Sequence, residues 1–434
     1  MKRLLLCLVV FVATHFHIQA QQTSSEIVDR NYVERILNTL ASDEMEGRHA
    51  LTPAIGKAAD FIAEEFKSIG LQPYAEDNYR QTFKMAKVSR KSSQVEWDNK
   101  VFASDSYLIL GTAAHTHWTP ITNIPVKYIR KEDDFSAKFR EIVQSNENVV
   151  VLVDPSYESY IKRLNRIYSG ENIVSPNQIA SSTTKAFILA DKLSAKFSIQ
   201  ADNTIEDFEL FNVASVIPGK SKPNEYVVFS AHYDHIGITK AIEQDSIANG
   251  ADDDASGTTA MISLAKYYKE QNNNERTLIF VAFTAEEIGM YGSKYFSHNI
   301  NADSVVAMIN IEMIGKDSKF GPNTLYITGY DRSNLGELMQ QNLKDTKFQF
   351  HADPYPQQNL FYRSDNAVLA ALGVPAHTFS TSQIDKDTYY HTVKDEVSTL
   401  NIENIKSSIE AIALGATGIV NGTQTPSRVE KLKD

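Results

Sequence analysis

Hydrophobic residues along this chain change their spacing twice, and each change marks a different kind of element. Between residues 26 and 71 they recur every three or four positions. Tyr32, Val33, Ile36, Leu37 and Leu40 form one stripe; Ala58, Phe61, Ile62 and Phe66 form a second, with Gly70 as its stop. That spacing predicts two amphipathic helices. From about Gln81 to Asp207 the helical period gives way to short β-rich pieces, such as 148–154 and 185–191, set between polar loops. This texture predicts a separate unit inserted into the main domain.

From Phe208 onward, unbroken apolar runs alternate with helical stretches. The runs at 226–234, 276–287 and 305–315, and "TLYITGY", read as strands, the first two buried on both faces. The stretches at 256–270, from Gly289, at 366–373 and at 401–422 read as helices, with Ser256 as a cap for the first and "VPAHTFS" flanked by the last two. Strand and helix in alternation predict an α/β fold: a mostly parallel sheet with helices on both faces.

The amino terminus changes the picture. Lys2 and Arg3 precede an apolar run from Leu4 to about Ala13, and Ala20 precedes Gln21. This predicts a secretory signal peptide cleaved after Ala20, its apolar run too short to span a bilayer. The expectation is export to the periplasm or the medium, with no stable membrane insertion. The organisation then reads as signal peptide 1–20, helical part of the main domain 21–80, inserted β-rich domain 81–207, main domain 208–424 and polar tail 425–434. Cleavage removes Cys7, the only cysteine, so a metal would have to be held by His, Asp and Glu. Losing Lys2 and Arg3 takes the formal net charge from −11 to −13. Nucleic acid and anionic membrane are poor partners for so acidic a chain. At 42% hydrophobic and 22% charged residues it is otherwise an ordinary globular protein.

Chemistry gathers at the predicted strand ends. In open α/β sheets ligands bind outside the carboxyl ends of the strands. The first strand ends in "AHYDH", the second in "AEE" and the third in "IEM". His232, Asp234, Glu286, Glu287 and Glu312 thus share one edge. "GADDDASG", with Asp253 at its centre, follows the first strand at the same edge, and "YYHTVKD" adds His391. Adjacent carboxylates on a solvated loop would mean little, but so many acids converging between apolar segments would repel without a cation. Imidazole and carboxylate without thiolate suit zinc, with cobalt or manganese as substitutes. Two histidines with three or four carboxylates exceed the needs of one tetrahedral zinc. Two ions sharing a bridging aspartate would use them all, polarising a carbonyl and activating a shared water. One carboxylate must then stay off the metals to take the water's proton, and "AEE" offers adjacent acids for the two jobs.

The blocks "SAHYDH", "NGADDDASG", "FTAEEIGMYGS" and "YHTVKD", in this order, resemble the M28 family of co-catalytic zinc metallopeptidases, which includes bacterial leucine aminopeptidases and glutamate carboxypeptidase II. The resemblance spans about Phe208 to Gly422, with a weaker match around "SDEMEGR". It implies that His232 and Glu312 hold one zinc, that Glu287 and His391 hold the other, and that Asp253 bridges both. It implies Glu286 as general base, Asp234 as the residue orienting the histidine of H-x-D, and a cis bond between Asp253 and Asp254. Glu312 departs from the family, which usually has aspartate there. Tyr390 matches members that use a tyrosine to hydrogen-bond the tetrahedral intermediate, and an aromatic pocket wall is the other reading. Ser364 and Asp365 match the family's "SD" before a helix and would support the site. His377, inside a strand, reads as structural; His235, His298 and His351 have no assigned role. The insert occupies the position of a protease-associated domain in many members, although it is short of glycine.

The resemblance implies a secreted or periplasmic di-zinc aminopeptidase acting on peptides with a free N-terminus. A carboxypeptidase on the same scaffold would need a cationic clamp, for which Arg363 is the nearby candidate. A glutaminyl cyclase would need an aromatic slot and a single zinc. Loss of hydrolysis would leave a non-catalytic zinc-binding protein.

Overall fold

The computed structural model describes residues 27–432 apart from 76 and 169; the predicted signal peptide and Cys7 lie outside the described residues. Twelve strands form one mixed sheet whose centre is parallel. In spatial order the central four are Ala376–Ser380, Val305–Ile311, Lys222–His232 and Arg276–Phe283. Their apolar runs are unbroken because both faces are covered. Val227, Phe229 and Ala231 enter one hydrophobic cluster with helices Arg30–Leu40, Ala54–Ile69, Gly257–Gln271 and Ile402–Gly415. Val228, Met308, Ile279 and Val281 enter another, under helices Tyr291–His298 and Asn366–Ala371. Successive residues of one strand thus feed two cores, the period-two geometry of a strand.

The flanks are more antiparallel than the alternating pattern suggests. Strand Phe197–Ile217 runs antiparallel to Arg276–Phe283 and pairs on its other side with Arg80–Trp97, also antiparallel, from Trp97 opposite Phe197 to Arg80 opposite Val213. Strand Thr324–Ile327 is antiparallel to Ala376–Ser380. Residues 81–97 and 197–207 of these strands fall in the unit read as an insert, because there the strands carry mixed, half-exposed side chains. Between them, residues 107–189 build a second sheet of four strands, with helices Phe135–Gln144 and Glu158–Tyr168 and two apolar clusters, one of which takes in Val95, Trp97, Ile199 and Ala201 of the long strands. Those helices hide in the sequence because each buries only one or two residues fully.

One contact fixes the amino-terminal helices to the ends of the central strands. Arg48, in "SDEMEGR", is completely buried. Its guanidinium donates to the carbonyls of Tyr233 (2.9 Å), Leu40 (2.5 Å), Asn249 (2.6 Å) and Gly250 (2.9 Å). A buried cation with its donors this well used is costly to remove, because four carbonyls lose their partner together. Arg48→Met should lower stability by about 3–5 kcal/mol, read as a fall in the urea midpoint at unchanged slope. A loss below about 1 kcal/mol would place this arginine among ordinary surface ion pairs and defeat the assignment.

Candidate metal centre

Register brings the predicted residues together. His232 lies opposite Phe283, and Ser230 opposite Asn310, so all three strands end at one level. His232 closes its strand, Glu312 follows Ile311 directly, and Glu286 and Glu287 follow Phe283 by three and four residues. The acidic triplet occupies a tight irregular turn, Ala251–Ser256, in which all three aspartates are buried. Each has a different task. Asp254 accepts from the backbone N–H of His232 (3.2 Å), Gly257 (3.0 Å) and Met313 (3.2 Å), tying two strand ends together. Asp252 accepts from the N–H of Gly315 at 2.7 Å. Asp253 faces the histidines, and the Asp253–Asp254 peptide is cis, as the resemblance implies. Gly257 has to be glycine, since a Cβ there would strike the Ile311 carbonyl and the Asp254 carboxylate. Ser256 does not cap its helix; its hydroxyl donates to the Asp252 carbonyl (2.8 Å) and accepts from Ile314 N–H (3.0 Å).

Two sets of ligand atoms share Asp253. His232, Asp253 and Glu312 form one, His235, Asp253 and Glu287 the other, each with its atoms within 4.8 Å of one another. His232 Nε2 lies 3.2 Å from Asp253 Oδ1 and 4.0 Å from Glu312 Oε1. His391 Nε2 joins the second set, 3.2 Å from Asp253 Oδ2 and 3.0 Å from Glu287 Oε2. Among the described residues, His232 Nε2 and Asp253 Oδ2 are buried yet make no directed hydrogen bond, as expected of ligand atoms that converge on a cation. The donors are hard oxygens and imidazoles, a set that zinc accepts.

The charges respond to this crowding. Burial pushes the carboxyls of Asp234 and Glu312 up to about 7 and that of Glu286 well above its usual range. Burial would also lift Asp253, but contacts with His232 and His391 outweigh it and hold that carboxyl well below the ordinary range. The same contacts act in reverse on His391: burial opposes the charged form, but Asp253 and Glu287 push it up to about 10. Supporting groups complete the frame. Asp395 accepts the N–H of Asp252 and Asp253, each at 3.0 Å, and Lys316 lies 2.6 Å from Asp387 and 3.6 Å from Asp252.

Asp234 acts differently from expectation. His232 Nδ1 pairs with the Asp234 backbone carbonyl at 3.1 Å, while the carboxylate is 3.9 Å away. That carboxylate instead accepts from the N–H of Glu286 (3.1 Å) and Glu287 (3.4 Å), because the "AEE" turn presents both amides to it. Ser364 accepts from the Asn310 amide at 2.9 Å and lines a pocket of about 470 Å³, open mouth included, together with Glu312, Tyr390 and Arg363. Asp365 is buried nearby, its carboxyl pushed up to about 6 by burial. The Tyr390 ring stacks on His391, centroids 3.9 Å apart.

Residues 212–415 match the family model for peptidase family M28. This segment belongs to peptidase family M28. Its relatives include a "Probable zinc metalloprotease" of Pyrenophora teres f. teres (strain 0-1), 34% identical over 109 residues, or 25% of this chain and 22% of that one. "Leucine aminopeptidase 1" of Aspergillus clavatus is 24% identical over 61% of this chain and 70% of its own. The first fungal relatives are matched over about a quarter of their length or less. The fold is that of a zinc aminopeptidase from Bacillus subtilis, with a TM-score of 0.54 at 16% identity over 94% of this chain and 99% of that one. An aminopeptidase from Aneurinibacillus sp. strain AM-1 gives 0.53 at 17%, over 94% and 96%.

Of the three histidines that sequence reasoning left without a role, His235 is the one that the structure brings to the centre. Its Nδ1 lies 2.9 Å from Glu287 Oε1 and 3.8 Å from Asp253 Oδ2. The signal was present in "HYDH": the chain turns sharply after His232, so a histidine three residues on returns to the same edge. His377 is structural as read, bonded to the Thr328 carbonyl and the Ser333 hydroxyl.

The centre makes metal-free protein sensitive to alkali. A carboxyl whose folded pKa exceeds its unfolded one lends stability in acid and forfeits it as pH rises, here from about 4 to about 7 for Asp234 and Glu312. Raised His391 has the same sign, losing its contribution from about 6.5 to about 10. Chelator-stripped protein should therefore unfold at lower urea at pH 8.5 than at pH 6, and zinc should abolish the difference. An equal or higher midpoint at pH 8.5 would contradict the account.

Proposed function

We propose that the chain is an exported di-zinc aminopeptidase that removes the first residue from peptides with a free amino terminus. The observation that carries this reading is a single carboxylate, Asp253, shared by two histidine–carboxylate sets at one sheet edge, with the Glu286 side chain beside them and free of hydrogen bonds among the described residues. Membership of the M28 segment, the zinc metalloprotease and leucine aminopeptidase names of its relatives, and the aminopeptidase fold all support it. The first-strand histidine, His232, would share one zinc with Glu312, and Glu287 with His391 would hold the second. Cobalt or manganese would substitute. Glu312 is one methylene longer than the family's usual aspartate, so metal at that set would exchange more readily.

Bound zinc supplies Lewis acidity, polarising the scissile carbonyl and lowering the pKa of water. The chain's own groups do the rest. Glu286, with its proton affinity raised by burial, is suited to accept a proton from the attacking water and pass it to the leaving amine. Tyr390, beside His391 on the pocket lining, donates its phenol hydrogen to the carbonyl oxygen as negative charge develops there. Carboxylates around the centre meet the substrate's α-ammonium.

Export rests on the amino-terminal pattern, and among the described residues no helix is long and apolar enough to cross a membrane. The unit around 107–189 would narrow access to the centre or dock polypeptide, in the manner of a protease-associated domain.

Two measurements test the reading. A mixed-sequence peptide incubated with zinc-loaded protein should shorten stepwise from its amino end in a mass spectrum, and chelator should stop it. Trimming from the carboxyl end would favour the carboxypeptidase; cyclised N-terminal glutamine would favour the cyclase. Glu286→Gln should cost at least about 100-fold in kcat while two zinc ions per chain remain by elemental analysis. A variant with its rate intact would remove Glu286 as the base.

A further inference from the structure

The pocket beside Glu312 contains chemistry that the reading above does not use. It opens past Ser364 and Tyr390, and its walls come from strand ends and the loops after them. Hydroxyls dominate its lining, and most are already committed. Tyr326 donates to the Ser382 carbonyl at 3.0 Å, Thr378 to Asn366 at 2.8 Å and Ser380 to the Met313 carbonyl at 3.0 Å. Among the buried hydroxyls of the lining Ser382 is the exception: it is 1% exposed, and its hydroxyl has no hydrogen-bond partner among the described residues. A buried hydroxyl left unpaired costs roughly 1–3 kcal/mol, so its presence on a pocket wall points to a polar ligand atom.

Arg363 supplies the second observation. It lines the same pocket, is exposed, and among the described residues its guanidinium makes no ion pair or hydrogen bond. In a chain of net charge −11 an unpaired arginine has carboxylates to choose from elsewhere, yet here it stands open to the pocket. Among the described residues Glu312 is the one carboxylate on the lining, and a bound metal would neutralise its charge.

We infer that this pocket receives an acidic first side chain, glutamate or aspartate, whose carboxylate pairs with Arg363 and accepts from Ser382. The inference rests on the aminopeptidase reading, which puts the first residue beside the metals. An aliphatic side chain would strip water from Arg363 and leave Ser382 unpaired; a lysine would meet the guanidinium with like charge. A carboxylate satisfies both groups through charge-assisted hydrogen bonds.

The test uses zinc-loaded protein and four peptide amides, X-Ala-Ala-amide, in which X is Glu, Gln, Leu or Lys. Amidation removes the terminal carboxylate, so Arg363 can respond only to the side chain. The expected kcat/KM is about tenfold or more higher for Glu than for Leu, with Lys last. Arg363→Ala should erase the advantage of Glu over Leu, and Arg363→Glu should rank Lys above Glu. Because Arg363 is exposed and unpaired, unchanged urea midpoints should accompany both variants. First-residue release with Leu ranked above Glu, or a Glu-to-Leu ratio untouched in both variants, would overturn this inference and leave the aminopeptidase standing. No release from any of the four amides would overturn both.

Discussion

Too many carboxylates meet at one edge of this sheet, and the structure is organised around making that tolerable. Asp234, Asp252, Asp253, Asp254, Asp365 and Asp395 are all buried there, with Glu286, Glu287 and Glu312 beside them. Left alone, such groups would protonate or force the edge open. Backbone amides meet part of the charge: the N–H groups of His232, Gly257 and Met313 serve Asp254, those of Glu286 and Glu287 serve Asp234, and those of Asp252 and Asp253 serve Asp395. Lys316 adds a cation beneath the turn, and Arg48 holds the carbonyls on its far side. Among the described residues no backbone amide serves the carboxylates of Asp253 or Asp365, and Asp253 faces imidazoles instead.

This division explains the order of the triplet. A run of three aspartates looks redundant along the sequence, but the turn sends the outer two back to the protein and only the middle one forward. The flanking acids therefore work as clamps. By accepting amides from two different strand ends, Asp254 sets the distance between His232 and the loop that carries Glu312. The geometry of the centre is thus a property of main-chain hydrogen bonds, which position more stiffly than long side chains can.

Legibility followed the range of the interactions. The central strands and flanking helices were readable because apolar spacing is local. So was the convergence of His232, Glu286, Glu287 and Glu312, because strands of one direction deliver their ends to one edge; Asp253 and His391 lie on loops and were placed there by their motifs. Arg48, Asp395 and Lys316 were not, since each acts on a residue far along the chain: Arg48 reaches Gly250, and Asp395 reaches Asp252. His235 was passed over because the sharpness of the turn after His232 leaves no mark in composition. Ser256 had the sequence of a cap, but the neighbouring Asp252 carbonyl and Ile314 amide compete for its hydroxyl and win. The antiparallel flanks were hidden for another reason: long strands with mixed, half-exposed side chains lose the alternation by which strands are recognised.

The same reasoning separates what the site can vary from what it cannot. Glu312, Ser364 and Tyr390 belong both to the pocket and to the surroundings of the centre, so a change in any of them alters ligand geometry along with pocket shape. Ser380 and Thr378 are tied into the hydrogen bonds beneath the strand ends, with Met313 and Asn366 as partners. Arg363 alone combines a place on the lining with an exposed side chain that supports nothing else among the described residues. A protein built on so rigid an edge can change its choice of substrate cheaply only where the pocket wall is uncoupled from the clamps, and position 363 meets that condition.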